Sequence, residues 1–200
     1  MKKLFLNLYF TCFTLSSIIA QSELPNNPQD ISPLLIGEKI PALTIQGLDS
    51  KSVSLEELTI DKKTILVFYR GGWCPYCNLH LKALAELESE ILKNGYQIIA
   101  ISPDSPNELK NTLTNDKINY SLFSDSNGNL SRAFGIAFKA PENYIPYISK
   151  SSEGKNTNFL PVPSLFVINN QSEIIFEYVS PNYKNRISKE LLQSVISTLK

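Results

Sequence analysis

The sequence predicts an α/β fold: a central mixed β-sheet with helices on both faces, three layers in all. Three observations carry that prediction. Thr64–Tyr69 and Tyr96–Ser102 are continuous apolar runs rich in β-branched and aromatic residues, which read as strands covered on both faces. Helical periodicities alternate with these runs, the longest over about 75–93. Near the end, Pro163–Ile168 and Glu173–Val179 flank the turn Asn169–Ser172 and read as an antiparallel pair, so the sheet is mixed.

Composition agrees with one domain and a short extra segment. The chain has 200 residues, 42% hydrophobic and 19% charged, ordinary values for a sequence that buries a core. Nineteen basic residues balance nineteen acidic ones, and no basic stripe is interleaved with aromatics, which argues against a nucleic-acid partner.

The N-terminus reads separately from the fold. Met1-Lys2-Lys3, an apolar run from Leu4 to Ala20 and the small-residue exit Ala20-Gln21-Ser22 predict a signal peptide over 1–20, cleaved after Ala20 or Ser22. The run is short for a membrane span and is diluted by Asn7, Thr11, Thr14, Ser16 and Ser17. Export to a periplasm or the exterior is therefore the expectation, with no stable membrane association after cleavage; an uncleaved anchor is the other reading. Residues 21–33, rich in Asn, Pro and Gln, read as a polar tether, and 34–200 as the globular domain.

Within the domain, Gly37–Pro41 is a turn, Ala42–Gln46 alternates as a strand, and Gly47–Ser50 turns again. Val53 leads into a helical turn capped by Ser54, with Glu57 three residues on. Thr64–Tyr69 is the first buried strand. A helix from about Pro75 to Lys93 follows, with Cys77, Leu81, Leu84, Leu87 and Ile91 at helical spacing and Asn94-Gly95 closing it. After the strand Tyr96–Ser102, Ser105 caps a helix over roughly 106–115 that has Pro106 at its first position. Tyr120–Phe123 is a strand and Leu130–Gly135 a short helix. Residues 136–160 lack a clear period and read as an irregular, partly mobile insertion. The last helix is expected over about 185–199, with Ile187, Leu191, Leu192, Val195 and Leu199 on its stripe.

The chemistry concentrates in Val67-Phe-Tyr-Arg-Gly-Gly-Trp-Cys-Pro-Tyr-Cys77. A strand ends in two glycines and delivers Cys74 and Cys77 to a helix start. The first turn of a helix carries unpaired N–H groups and partial positive charge, which favour a thiolate at Cys74. The i, i+3 spacing puts Cys77 on the same face, near enough for a Cys74–Cys77 disulfide after small adjustment. Of three cysteines, Cys12 lies in the signal segment, so the mature chain keeps only this pair. A bridge over so short a loop is a poor structural staple, which points to redox use. Cys74, Cys77 and His80 also spell C-x-x-C-x-x-H, but structural zinc needs four ligands and no other Cys or His remains in the mature chain, so no metal is expected. No cofactor is expected either.

The element order and motifs resemble the thioredoxin fold, in particular the peroxiredoxin-related branch of alkyl hydroperoxide reductases and thiol-specific antioxidants. The resemblance covers nearly all of 34–200. Gly37–Pro41, Leu43 and Val53–Leu55 are similar to that family's opening β-hairpin, an N-terminal extension of the sheet. Val67–Tyr69, Ile99–Ser105, Phe123–Asp125 with Leu130–Ile136, and Phe166–Asn169 are similar to its later strands and turns. The active site departs from the orthodox pattern Pro-x-x-x-Thr/Ser-x-x-Cys. Counting back from Cys74, the Pro position is Val67 and the Thr/Ser position Gly71, and the late-strand Arg position aligns with Pro163. Trp73-Cys-Pro-Tyr-Cys77 instead resembles thioredoxin and glutaredoxin sites. Val162-Pro163-Ser164 resembles the proline segment that abuts the dithiol in that fold, usually with a cis bond.

The resemblance implies a thiol-dependent oxidoreductase with Cys74 as nucleophile and Cys77 as resolving thiol. The substrate is a peroxide, with a thioredoxin-like protein as reductant, or alternatively a protein disulfide attacked by the same pair. A redox-inert binding module that kept the fold is the non-enzymatic alternative. Arg70, Trp73, Pro75, Tyr76 and Pro163 are the candidate supporting residues: Arg70 as a cation beside Cys74, Trp73 and Tyr76 as a recognition surface, Pro163 against the dithiol. His80 reads as a helix-face residue rather than a general base.

Overall fold

The structure, a computed structural model, describes residues 23–199. The predicted signal peptide and Cys12 lie outside the described residues.

Apolar runs become strands where both faces can be covered. β1 (Thr44–Gln46) and β2 (Ser52–Ser54) form the opening hairpin. β3 (Lys63–Phe68) and β4 (Tyr96–Ser102) pair in parallel, with Ile65 opposite Ile98 and Val67 opposite Ala100. β5 (Ser121–Ser124) extends the parallel part on the far side of β4. β8 (Ser164–Ile168) runs antiparallel to β3, and β9 (Ile174–Val179) antiparallel to β8. The order across this seven-stranded mixed sheet is β2-β1-β5-β4-β3-β8-β9, with the hairpin joined to β5 through Gln46 and Ser124.

Because side chains alternate along a strand, each central strand feeds two cores. Ile65, Val67, Ile98, Ala100, Leu165 and Val167 meet α2 (Pro75–Lys93), α3 (Pro106–Asp116) and α6 (Lys189–Thr198) on one side. Leu66, Phe68, Ile99, Ile101, Phe166 and Ile168 meet α1 (Leu55–Thr59) and α4 (Asn129–Ala133) on the other. That is the three-layer arrangement. α2 buries Cys77, His80, Leu81, Leu84, Leu87 and Ile91, one stripe at i, i+3, i+4 spacing. Full burial of each aliphatic side chain in this stripe stabilises by roughly 1.5–3 kcal/mol, so the helix that carries both cysteines is held by its packed face. Ser54 and Ser105 cap α1 and α3 as the sequence predicts, accepting from the Glu57 and Glu108 N–H groups.

Three expectations change. Residues 136–160 are regular: β6 (Ala137–Lys139) pairs with β7 (Phe159–Pro161), and a 3₁₀ turn (Glu142–Tyr144) runs into α5 (Ile145–Ser151). Phe138, Ala140, Ile148, Leu160 and Val162 give this segment its own small core. The polar stretch between α5 and β7 is tied by Asn156, whose side chain bonds the Asn158 and Phe159 N–H groups and the Phe159 carbonyl, so polarity here serves a turn rather than mobility.

Residues 23–33 of the segment read as a tether lie along the body. The Lys139 N–H donates to the Pro25 carbonyl at 2.8 Å, the Ser32 N–H to the Gly135 carbonyl at 3.2 Å, and Ile31 packs on two of the cores. The last helix begins at Lys189, later than periodicity suggests, because the Ser188 hydroxyl takes the Leu191 N–H and sets the start. Ile187, Leu192 and Ile196 are buried, while Leu191 is exposed. Among the described residues no helix is long and apolar enough to cross a membrane.

Candidate active site

β3 ends at Phe68 in the middle of the sheet, and residues 69–73 carry the chain over its edge to the start of α2. Gly71 has φ +141°, and a Cβ there would lie 2.4 Å from Trp73 Nε1 and 2.6 Å from Asp104 Oδ1. A Cβ on Gly72 would lie 2.1 Å from Thr112 Oγ1. Gly71 is therefore demanded by backbone shape and close approach together, Gly72 by close approach alone. The consequence is chemical: at Gly71, the position that the resemblance aligns with a Thr or Ser, a side chain would run into Trp73 and Asp104. Asp104, buried in the turn after β4, accepts the Gly72 N–H at 2.7 Å and anchors this loop. Burial outweighs that bond and its serine neighbours and raises the Asp104 carboxyl to about 6.

Cys74 is the N-cap of α2 with extended backbone, Pro75 is the first helical residue, and the Cys74 carbonyl accepts from the Cys77 and Asn78 N–H groups. Both cysteines are free thiols and both are buried. The Cys74 thiol is lowered to about 6, first by the Cys77 S–H hydrogen-bonding its sulfur and then by the Cys77 N–H and the charges of Arg70 and Arg186; burial opposes this. Cys77 moves the other way: burial pushes its thiol well up, and donation to Cys74 adds to that. The pair thus divides into one thiol drawn toward the thiolate and one held as thiol.

Arg70 is buried beside the loop. Its guanidinium stands 4.1 Å from the Tyr144 ring centroid, 4.4 Å from that of Tyr183 and 5.1 Å from that of Trp73. Three ring faces hold it, and among the described residues no carboxylate forms an ion pair with it. Its charge is left to act on Cys74. Trp73 stacks on Tyr147 at 5.6 Å between ring centroids and leans on Tyr144 at 5.7 Å. Tyr76, partly exposed, meets Tyr183 edge-on at 5.7 Å. A cleft of about 260 Å³ opens beside Trp73, lined among others by Gly72, Asp104, Thr112 and Tyr147.

The structure brings Arg70, Trp73, Pro75 and Tyr76 around the dithiol. Pro163 is buried directly before β8, whose Ser164 lies opposite Phe68 at the same end of the sheet. Its peptide bond is trans, as are all others among the described residues, which corrects the cis expectation. The Val162 carbonyl accepts from the Ser164 hydroxyl and the Pro163 carbonyl from the Ser180 N–H, fixing an extended passage. His80 lies on the inward face of α2. It is buried, burial lowers it to about 3, and its Nε2 has no hydrogen-bond partner. Among the described residues no three His, Cys, Asp or Glu side chains cluster as a metal site would require.

Sequence reasoning missed Tyr144, Tyr147, Tyr183, Asp104 and Arg186. Arg186 Nη2 lies 3.5 Å from Cys77 Sγ, a contact spanning 109 residues. No local spacing announces it; the only trace is the aromatic–basic run Tyr183-Lys-Asn-Arg186 before the last helix.

Comparison with known proteins places this chain in a family. A putative peroxiredoxin bcp of Haemophilus influenzae is 30% identical over 106 residues, 53% of this chain and 68% of that protein. A thioredoxin-like protein of the same organism is 28% identical over 152 residues, 75% and 79% of the two chains. The solved structure of reduced Prx3 in complex with hydrogen peroxide from Vibrio vulnificus shares the fold, with a TM-score of 0.71 at 15% identity over 82% of this chain and 97% of that one. The model of the AhpC/TSA family matches residues 36–176, the central strands and the whole dithiol loop included. The chain belongs to the AhpC/TSA family and is a peroxiredoxin-like protein of the thioredoxin fold.

Proposed function

We propose that this protein is a thiol-dependent peroxidase that reduces hydrogen peroxide or an organic hydroperoxide through a Cys74–Cys77 dithiol/disulfide cycle. The observation that carries the reading is the placement of Cys74 at the N-cap of α2 with Cys77 one turn on, on the scaffold of the AhpC/TSA family; the lowered Cys74 thiol agrees with it. The Cys74 thiolate attacks one peroxide oxygen and the O–O bond breaks. The other oxygen leaves with a proton as water or alcohol, and Cys74 becomes a sulfenic acid. Cys77 sulfur then displaces the hydroxyl, its proton leaving with that oxygen as water, and the disulfide forms. A thioredoxin-like dithiol returns the pair to thiols. Stopped-flow mixing with each peroxide, read by the single tryptophan beside Cys74, tests this. Oxidation no faster than that of a free thiol of equal acidity would sink it.

A specific feature favours a second reading, thiol–disulfide exchange with protein substrates: Gly71 leaves no room for the peroxide-orienting hydroxyl, and Pro163 stands at the arginine position. Turnover of insulin disulfides with a potential between about −120 and −270 mV would support it. Export completes the proposal and rests on residues 1–20. N-terminal sequencing of the protein recovered outside the cytoplasm of an expressing cell is its test.

A further inference from the structure

In the reduced pair Cys77 is the proton donor, yet in the second half-reaction it must be the nucleophile. It is fully buried, and burial opposes its ionisation. The groups around it are Cys74 and His80 on α2, Tyr69 and Arg70 at the end of β3, and Arg186 from the turn before α6. His80 is neutral and Tyr69 is held protonated by burial, so neither contributes charge. Arg70 sits inside its aromatic cage. Arg186 is the cation whose side chain touches the Cys77 sulfur.

The hold on Arg186 is one-sided. Nη1 donates to the Tyr183 and Asn185 carbonyls, Nη2 reaches Cys77 Sγ at 3.5 Å, and Nε is buried with no partner. Among the described residues no carboxylate pairs with it. A buried donor without a partner calls for an explanation, and the thiol beside this guanidinium supplies one. The turn that aims it also supplies Tyr183 to Arg70, so one short segment bears on both cations beside the dithiol.

We propose that Arg186 is a catalytic residue of the resolving step: its guanidinium stabilises Cys77 as thiolate while Cys77 sulfur attacks Cys74 sulfur. Before that step Cys74 carries the negative charge and Cys77 keeps its proton. Once Cys74 is a sulfenic acid or half of a mixed disulfide, its charge is gone and Arg186 faces Cys77 alone. The S–S bond then forms, and the Cys77 proton leaves with the hydroxyl as water or with the departing thiol. The proposal rests on the dithiol part of the function above and not on peroxide being the substrate.

The test uses 2,2′-dithiodipyridine, a neutral disulfide. Attack by Cys74 releases one thiopyridone in a phase that scales with probe concentration. Attack by Cys77 on the mixed disulfide releases the second in a phase that does not. Because the Arg186 charge also reaches Cys74, the first phase in Arg186→Met should slow as well, but by no more than about threefold. The second should slow by more than about tenfold, with its pH profile displaced upward, and Arg186→Lys should recover part of the loss. An unchanged second phase and pH profile in Arg186→Met overturns the proposal. So does equal slowing of both phases in the Met and Lys variants, which would assign Arg186 to holding the loop. A wild-type protein that completes both phases with the disulfide but ignores peroxide refutes the peroxidase reading and leaves this inference standing.

Discussion

The Gly72 N–H donates to Asp104 Oδ2 at 2.7 Å, tying the loop that carries Cys74 to the turn after β4. The carboxyl is almost fully buried and stands at about 6 against an ordinary 3.8, with desolvation the main cause. The folded protein therefore holds this proton more tightly than the unfolded chain does, and the Asp104 contribution to stability falls as pH rises through the window from about 4 to 6. The loss is on the order of 3 kcal/mol. Asp104→Asn keeps an acceptor for Gly72 and removes the titration. Denaturant unfolding from pH 4 to 7 should show the wild type losing stability relative to the variant. Parallel curves would contradict the assignment.

For Cys74 the sign is opposite. Its folded-state value of about 6 lies below the ordinary 9.0, so the thiolate form is favoured in the fold. That stability is complete above pH 9 and fades as pH falls through 6. Iodoacetamide alkylation should have a midpoint near pH 6. Because the Cys77 S–H is the largest cause, Cys77→Ala should raise the midpoint by about one unit or more, while Cys77→Ser, which keeps a donor, should raise it less. Equal midpoints in the two variants would show that the Cys77 donor does not set the acidity of Cys74.

The cage around Arg70 predicts a graded series. Arg70→Met removes the charge and should raise the same midpoint while slowing the first oxidation step by roughly tenfold, since about 1.4 kcal/mol separates each factor of ten. Tyr144→Leu leaves the charge but loosens its seat, and a cation–π contact of about 0.5–2 kcal/mol predicts a smaller change in the same direction. A larger effect from Tyr144→Leu than from Arg70→Met would rule out positioning as the role of that ring.

Restoring the family's hydroxyl should fail here. Gly71→Ser places a Cβ within 2.6 Å of two side-chain atoms at a φ of +141°. We expect a loss of roughly 2–4 kcal/mol in stability and a slower reaction with peroxide, measured by unfolding and stopped flow. A stable variant with faster peroxide reduction would show that the loop relaxes despite its close contacts.

Many of these features are legible in the amino-acid sequence. The apolar runs Thr64–Tyr69 and Tyr96–Ser102, the stripe Cys77, Leu81, Leu84, Ile91 and the caps Ser54 and Ser105 are local patterns. A period of two or of 3.6, or a hydroxyl three residues from a free N–H, is set by neighbours in the chain. The same locality puts Cys74 and Cys77 at the first turn of α2. Where local pattern is silent, sequence misleads. Residues 136–160 look irregular because short strands and a brief helix are stabilised by their partners. Leu191 and Ile196 lie on stripes too similar to rank until α6 is docked.

By itself, then, the sequence determined the layers, the order of elements outside 136–160 and the dithiol at a helix start, because each follows from spacing along the chain. Only the tertiary structure decided what surrounds the sulfurs. Tyr144 reaches Arg70 from a segment that reads as an insertion, Asp104 reaches Gly72 from another turn, and Arg186 reaches Cys77 across 109 residues. Such contacts depend on how the layers pack, and charge acts through a few ångströms of space whatever the separation along the chain.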